Sequence, residues 1–256
     1  MAVAVPAALG AGWIVLRARP RECVPATRSS GEVALLALLA FALTQLLRMG
    51  LRCLIPSEAS FTSKLADLGA LGLGAALLLV VRQRGGLLRK ESTPPLRALG
   101  LGLAAYIAAF PCVLVAHWLA ALMPGGEDVR RSTLLFLAGA ETTQVLVVTA
   151  LLMSVVPLFE ELVFRGFLLR GLESMVLRVV DAPRAASWIA AVVSSACFAA
   201  VHERAAMPAI FVVGLLLSWV ALRGGGLWAA MAFHALHNGI TVWVHLSGAT
   251  AWLDQR

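Results

Sequence analysis

The sequence predicts an all-α fold: a polytopic transmembrane bundle of seven to eight helices, built as one integral membrane domain over residues 1–256. Hydrophobic residues make up 60% of the chain and charged residues only 14%, where soluble domains carry roughly 25% charged residues. Mean hydropathy is +0.87. The apolar residues gather into runs divided by proline, glycine and arginine, and no hydrophilic stretch is long enough for a separate soluble domain.

The runs fall at 2–16, 33–47, 65–81, 99–123, 143–159, 185–201, 207–222 and 227–246. A spanning helix needs about 20 apolar residues, and the first two runs are short, so the count stays at seven or eight. The first run has no basic segment before it; Arg17, Arg19 and Arg21 follow it instead. That order predicts a short, retained segment with its N-terminus outside, rather than a cleaved signal peptide. Later breaks carry turn residues: Pro56-Ser57, Arg82-Gln83-Arg84-Gly85-Gly86, Pro94-Pro95, Pro124-Gly125-Gly126 and Gly224-Gly225-Gly226. Segments 24–32 and 85–97 read as loops, and no internal repeat is visible. Cys23, Cys53, Cys112 and Cys197 are scattered without a C-x-x-C pair, so neither a thiolate zinc site nor a disulfide framework is expected.

The net charge of +7 reads as loop bias at a membrane surface, and no nucleic-acid partner is expected. Basic residues in short loops mark the cytoplasmic side. With the N-terminus outside and eight spans, the basic residues divide fourteen against seven, and the cluster from Arg82 to Arg97 marks the cytoplasmic face. Nearly all basic residues are arginine, with only Lys64 and Lys90 as lysines. Together with the abundant Ala and Leu, that composition suggests a GC-rich bacterial genome and a place in the inner (cytoplasmic) membrane.

Three polar islands interrupt the second half: Glu160-Glu161-x-x-x-Arg165, Phe198-x-x-x-His202 and His234-x-x-x-Asn238. Glu161 with Arg165, and the pairs of the other two islands, are spaced one helical turn apart and so share a face. Ionisable groups inside membrane segments are costly, usually face the bundle interior, and mark function. Glu160 and Glu161 are adjacent and point about 100° apart on a helix of 3.6 residues per turn, so they have different tasks. Glu161 is placed to pair with Arg165. Glu160 has Phe164 in the next turn and no basic partner there, which suits a general base acting on water. Blander readings stand beside these. Glu160 could be a helix-end carboxylate meeting solvent, and Glu161 could serve only to stabilise a buried arginine. His202, before Glu203-Arg204, could be an interfacial residue, and His234 and Asn238 could make an ordinary interhelical hydrogen bond. His237 is a neighbouring decoy. His117 and His245 lack a polar helical partner.

A proline inside a helix breaks or kinks it, so Pro157 is expected to start a new helix near Leu158. That helix would run to about Val179, turn through Asp181-Ala182-Pro183 and return along 185–202. Glu160 and His202 lie equally far from Asp181 in sequence, so an antiparallel hairpin brings them to one depth.

The stretch Pro157-Leu158-Phe159-Glu160-Glu161-Leu162-Val163-Phe164-Arg165-Gly166-Phe167-Leu168 resembles the first motif of the CPBP intramembrane protease family, which groups CAAX prenyl endopeptidases with bacteriocin-processing and self-immunity proteins. Ser194 to His202 resembles its second motif, F-x-x-x-H. Phe233-His234-Ala235-Leu236-His237-Asn238-Gly239 resembles its third, H-x-x-x-N. The resemblance covers about 134–246, the catalytic core, while the helices within 1–126 match no family pattern.

The resemblance implies glutamate-dependent peptide hydrolysis inside the bilayer. Glu160 and His202 would activate water, His234 and Asn238 would stabilise the oxyanion, and Glu161, Arg165 and Phe198 would support the site. No cofactor is expected. Metal dependence stays open; were zinc present, Glu160, His202 and His234 would be its ligands, although no H-E-x-x-H pair occurs. The expected partners are the lipid bilayer and a membrane-anchored protein or peptide precursor cut near its C-terminus, with removal of a C-terminal sorting helix favoured over prenylated tails. The alternatives are a non-catalytic immunity or scaffold protein, and a transporter with Glu160, Glu161 and Arg165 in its path; no inverted repeat supports the latter.

Overall fold

A computed structural model of the protein describes residues 30–54, 61–85, 93–123 and 140–247. The apolar run at 2–16 and the arginines after it lie outside the described residues. Within them all regular secondary structure is helical. The helices are α1 (Ser30–Leu54), α2 (Phe61–Gly85), α3 (Pro95–Ala121), α4 (Thr142–Val176), α5 (Pro183–Ala200), α6 (Met207–Val220) and α7 (Gly226–Leu246). Phe61–Val81, Pro95–Ala121 and Thr142–Val176 are each long and apolar enough to cross a membrane, and α1 and α6 contain shorter apolar stretches. Leu39, Leu46, Leu73, Leu114, Trp118 and Trp243 are exposed on the outside of the bundle. A soluble protein would rarely present so extensive an apolar surface. The chain is an integral membrane protein.

Proline and glycine position the helices. Pro95, Pro183 and Pro208 sit in the first turns of α3, α5 and α6, where a missing N–H costs nothing. Gly226, opening α7, has φ 60°, a conformation that side-chain-bearing residues disfavour. Gly102 of α3 lies so close to α7 that a Cβ there would collide with the backbone carbonyl of Ala229. The absence of a side chain thus lets two helices touch backbone to backbone.

Pro157 does not divide the helix. The α-helical geometry of α4 runs from Thr142 through Pro157 to Glu161. A kinked or broken bond at proline can be absorbed inside a membrane bundle by the surrounding helices, and Pro157 is buried among them. The irregularity falls later, as a π-helical segment at Leu162–Leu168, before α-helical geometry resumes over Leu169–Val176. A second π turn, Ala221–Gly225, ends α6. The reversal at 177–182 is found where the sequence placed it, between α4 and α5.

The core draws on all seven helices. Phe159, Leu162, Phe164 and Phe167 of α4 pack with Phe198 of α5, Leu217 of α6, Phe233 of α7, Tyr106 of α3 and Leu71 of α2. Phe41 of α1 meets the Phe159 and Phe164 rings at 6.2 and 5.9 Å. The π segment is therefore enclosed: all seven of its residues are buried.

Candidate active site

The site is built around the transition from α to π geometry in α4. Glu161, the last residue before the π segment, is fully buried. Its Oε1 accepts hydrogen bonds from Arg165 Nη1 at 2.9 Å and from His234 Nδ1 at 2.8 Å. Arg165 is itself buried and donates through Nη2 to the Gly214 carbonyl of α6 at 3.2 Å. Its guanidinium carbon stands 4.3 Å from the centre of the Phe198 ring, within cation–π range. A buried ion pair is retained only when further hydrogen bonds and packing offset its desolvation; the Gly214 carbonyl, the Phe198 face and His234 supply them.

Glu160 points elsewhere, as adjacency on a helix requires. Its side chain keeps 18% of its surface accessible, and its Oε2 lies 3.6 Å from His234 Nε2. That separation is too long for a hydrogen bond, and Oε2 has no hydrogen-bond partner among the described residues. The two ring nitrogens of His234 thus face two carboxylates. A carboxylate oxygen that already accepts from arginine can only accept from the ring, so Nδ1 carries a proton toward Glu161. This contact fixes the ring with Nε2 toward Glu160.

His202 lies just beyond α5. Its Nδ1 is 2.7 Å from the Phe198 carbonyl. A carbonyl is purely an acceptor, so Nδ1 is the donor and a neutral ring presents Nε2 as the acceptor. The Phe198 ring lies edge-to-face against both His202, at 4.8 Å, and His234, at 5.9 Å. Glu160 and His202 are thus joined through His234 and Phe198, with no hydrogen bond between them among the described residues. Asn238, one turn beyond His234, donates from Nδ2 to the Leu152 carbonyl of α4 at 2.9 Å. An amide nitrogen carries two hydrogens, and this bond uses one.

Three contacts were not legible in the sequence. Ser194 Oγ donates to the Phe164 carbonyl at 2.9 Å, tying α5 to the π segment. Gly214 contributes a carbonyl that carries no sequence signature. His117 of α3 stacks on His237 of α7 with ring centres 5.4 Å apart, and Tyr106 lies 5.9 Å from the same His237 ring. This places His117 beside the decoy histidine rather than alone. His245 ends α7, away from the polar cluster.

A zinc site takes four ligands, three of them from protein where the ion is catalytic. The described residues bring no three His, Cys, Asp or Glu side chains into an arrangement that could hold a metal ion. Glu161 and His234 are also committed to each other. Glu160, His202 and His234 do not form such a group among the described residues.

Residues 142–240 match the model of a family described as type II CAAX prenyl endopeptidase Rce1-like. The matched segment begins at the first residue of α4, ends within α7, and contains Glu160, Glu161, Arg165, Phe198, His202, His234 and Asn238. No curated protein and no solved structure gives a match to the chain. Over this segment the chain is similar to a family of CAAX-type endopeptidases.

Proposed function

We propose that the protein is a glutamate-dependent endopeptidase that hydrolyses a peptide bond near the C-terminus of a membrane-anchored protein or peptide precursor in a bacterial inner membrane. The observation that carries this reading is the division of labour between neighbouring carboxylates. Each carboxylate leaves its Oε2 without a hydrogen-bond partner among the described residues, but Glu161 is fully buried with Oε1 held by both Arg165 and His234, whereas Glu160 keeps 18% of its side-chain surface accessible and faces the same histidine.

In this mechanism Glu160 takes a proton from water, assisted by the acceptor Nε2 of His202. The water oxygen attacks the scissile carbonyl. His234, with Nδ1–H held by Glu161 and a second proton on Nε2, and the second amide hydrogen of Asn238 donate to the oxyanion that develops. Collapse of the tetrahedral intermediate breaks the C–N bond, and the proton held by Glu160 passes to the leaving amine. Glu161, Arg165 and Phe198 position these groups without touching the reacting atoms.

Glu160→Gln preserves shape and removes the base. A loss of about 10²–10⁴-fold is expected, the range attributed to general acid–base catalysis. Co-expression with a substrate whose size shifts on cleavage measures it; cleavage at the wild-type rate by a well-expressed variant would rule out Glu160 as the base.

A further inference from the structure

We infer that the catalytic centre opens toward the extracytoplasmic face, so that its substrate is an exported polypeptide held by a membrane helix and cut on the outer side. This rests on the peptidase reading above for the word substrate, but the direction of opening stands on the fold and on the charge of its connections.

The α5 helix has 18 residues, which rise about 27 Å at 1.5 Å each. That nearly equals the ~30 Å hydrocarbon core of a bilayer. His202 sits just past its end, so it is almost a full membrane thickness from the 177–182 turn. The far end of the hairpin is located independently. Ala209, in the first turn of α6, packs on Ala116 and Ala120 in the last turns of α3. The loop 201–206 therefore shares a face with the connection from α3 to α4, opposite the connections 86–94 and 177–182.

Access differs between the two directions. Between the polar cluster and the 177–182 side lie Phe167, Leu169, Leu217 and Val220, all buried. The 221–225 turn is closer to the cluster in sequence, since His234 follows Gly226 by only two helical turns. That turn is recessed into the bundle: the Ala221 carbonyl accepts from Arg170 Nη2 at 3.2 Å, level with the interior of α4 rather than its end. On the other side, Val201 is 48% exposed, Glu203 and Arg204 are exposed, and His202 lies among them only half-buried. The cluster is sealed inward and opens along the 201–206 loop.

The charges identify that face. Among the described residues, the connections on the sealed side and their helix ends carry Arg82, Arg84, Arg97, Arg178, Arg184 and Arg223, while those on the open side carry Arg52, Lys64 and Arg204. Excess Lys and Arg mark the cytoplasmic side. Helix alternation sorts the connections onto two sides, and the charge excess places the open side outward. A cytoplasmic tail would meet the buried apolar layer; a chain already exported, and still anchored by a transmembrane segment, would present its juxtamembrane bonds at the level of His202.

The test uses the full chain with its four cysteines replaced and one returned at a time, as Arg204→Cys or Asp181→Cys. A membrane-impermeant maleimide is applied to intact spheroplasts and to permeabilised ones. Labelling at 204 in intact spheroplasts, with labelling at 181 only after permeabilisation, is expected; the reverse pattern overturns the inference. A second arm adds an impermeant quenched peptide to right-side-out and inverted vesicles, with Glu160→Gln as the blank. Cleavage dependent on Glu160 in right-side-out vesicles supports the proposal, and cleavage confined to inverted vesicles contradicts it. If 204 labels from outside and neither vesicle cleaves the peptide, the peptidase reading fails and the outward opening survives.

Discussion

At the scale of single residues, the site depends on a buried charge pair that also orients a histidine. Removing one partner of such a pair leaves the other uncompensated, at a cost of about 3–5 kcal/mol. Glu161→Ala and Arg165→Ala should each lower the melting temperature in detergent, and the double variant should be less destabilised than the two single losses together. Strict additivity would mean that the 2.9 Å contact contributes nothing. Asn238 is tested by a different split. Asn238→Ala should reduce kcat on the order of 10²–10³-fold, as for loss of an oxyanion donor, and leave KM nearly unchanged. Asn238→Asp should be worse, because its carboxylate repels the oxyanion. An Asp variant as active as wild type would remove Asn238 from that role.

At the scale of elements, the π segment buries an arginine and five aromatic or aliphatic residues at once, directly after the buried Glu161. π segments inside α-helices recur at functional sites. Here the segment is held by Ser194 on the Phe164 carbonyl and by the aromatic ring of Phe41 on α1. The neighbouring contact of α3 with α7 depends on Gly102. Gly102→Val should destabilise the fold sharply, because the added carbons meet the Ala229 backbone, which cannot yield as a side-chain tip can. Thermal unfolding of the purified variant measures this; an unchanged midpoint would show that α3 and α7 are not packed as described. The four-residue spacings were readable because they obey helix periodicity: Glu161 with Arg165, Phe198 with His202, and His234 with Asn238. The π geometry was not readable, since no residue type demands it. Pro157 drew attention to the wrong position because a proline's local cost can be borne by its surroundings. Gly214 and Leu152 contribute backbone carbonyls, which leave no mark in a sequence.

At the scale of the whole molecule, the hairpin of α4 and α5 sets the depth of the site and α7 closes it. Apolar run lengths and their punctuation were enough to place most helices, because hydrocarbon thickness dictates how long a span must be. The way α1 to α3 wrap the family-matched segment was not legible. It rests on long-range contacts such as Phe41 with Phe159 and Tyr106 with Phe233, which no local pattern encodes.

The central claim is that Glu160 carries the chemistry and Glu161 the architecture. Glu160→Gln and Glu161→Gln should be purified in parallel and measured for both melting temperature and turnover on a membrane-anchored substrate. Glu160→Gln should melt near wild type, since Oε2 has no hydrogen-bond partner among the described residues, and should lose turnover by about 10²–10⁴-fold. Glu161→Gln should melt well below wild type, because Arg165 is then buried without its counter-charge. The opposite assignment, with Glu161→Gln stable and Glu160→Gln fully active, would contradict the account.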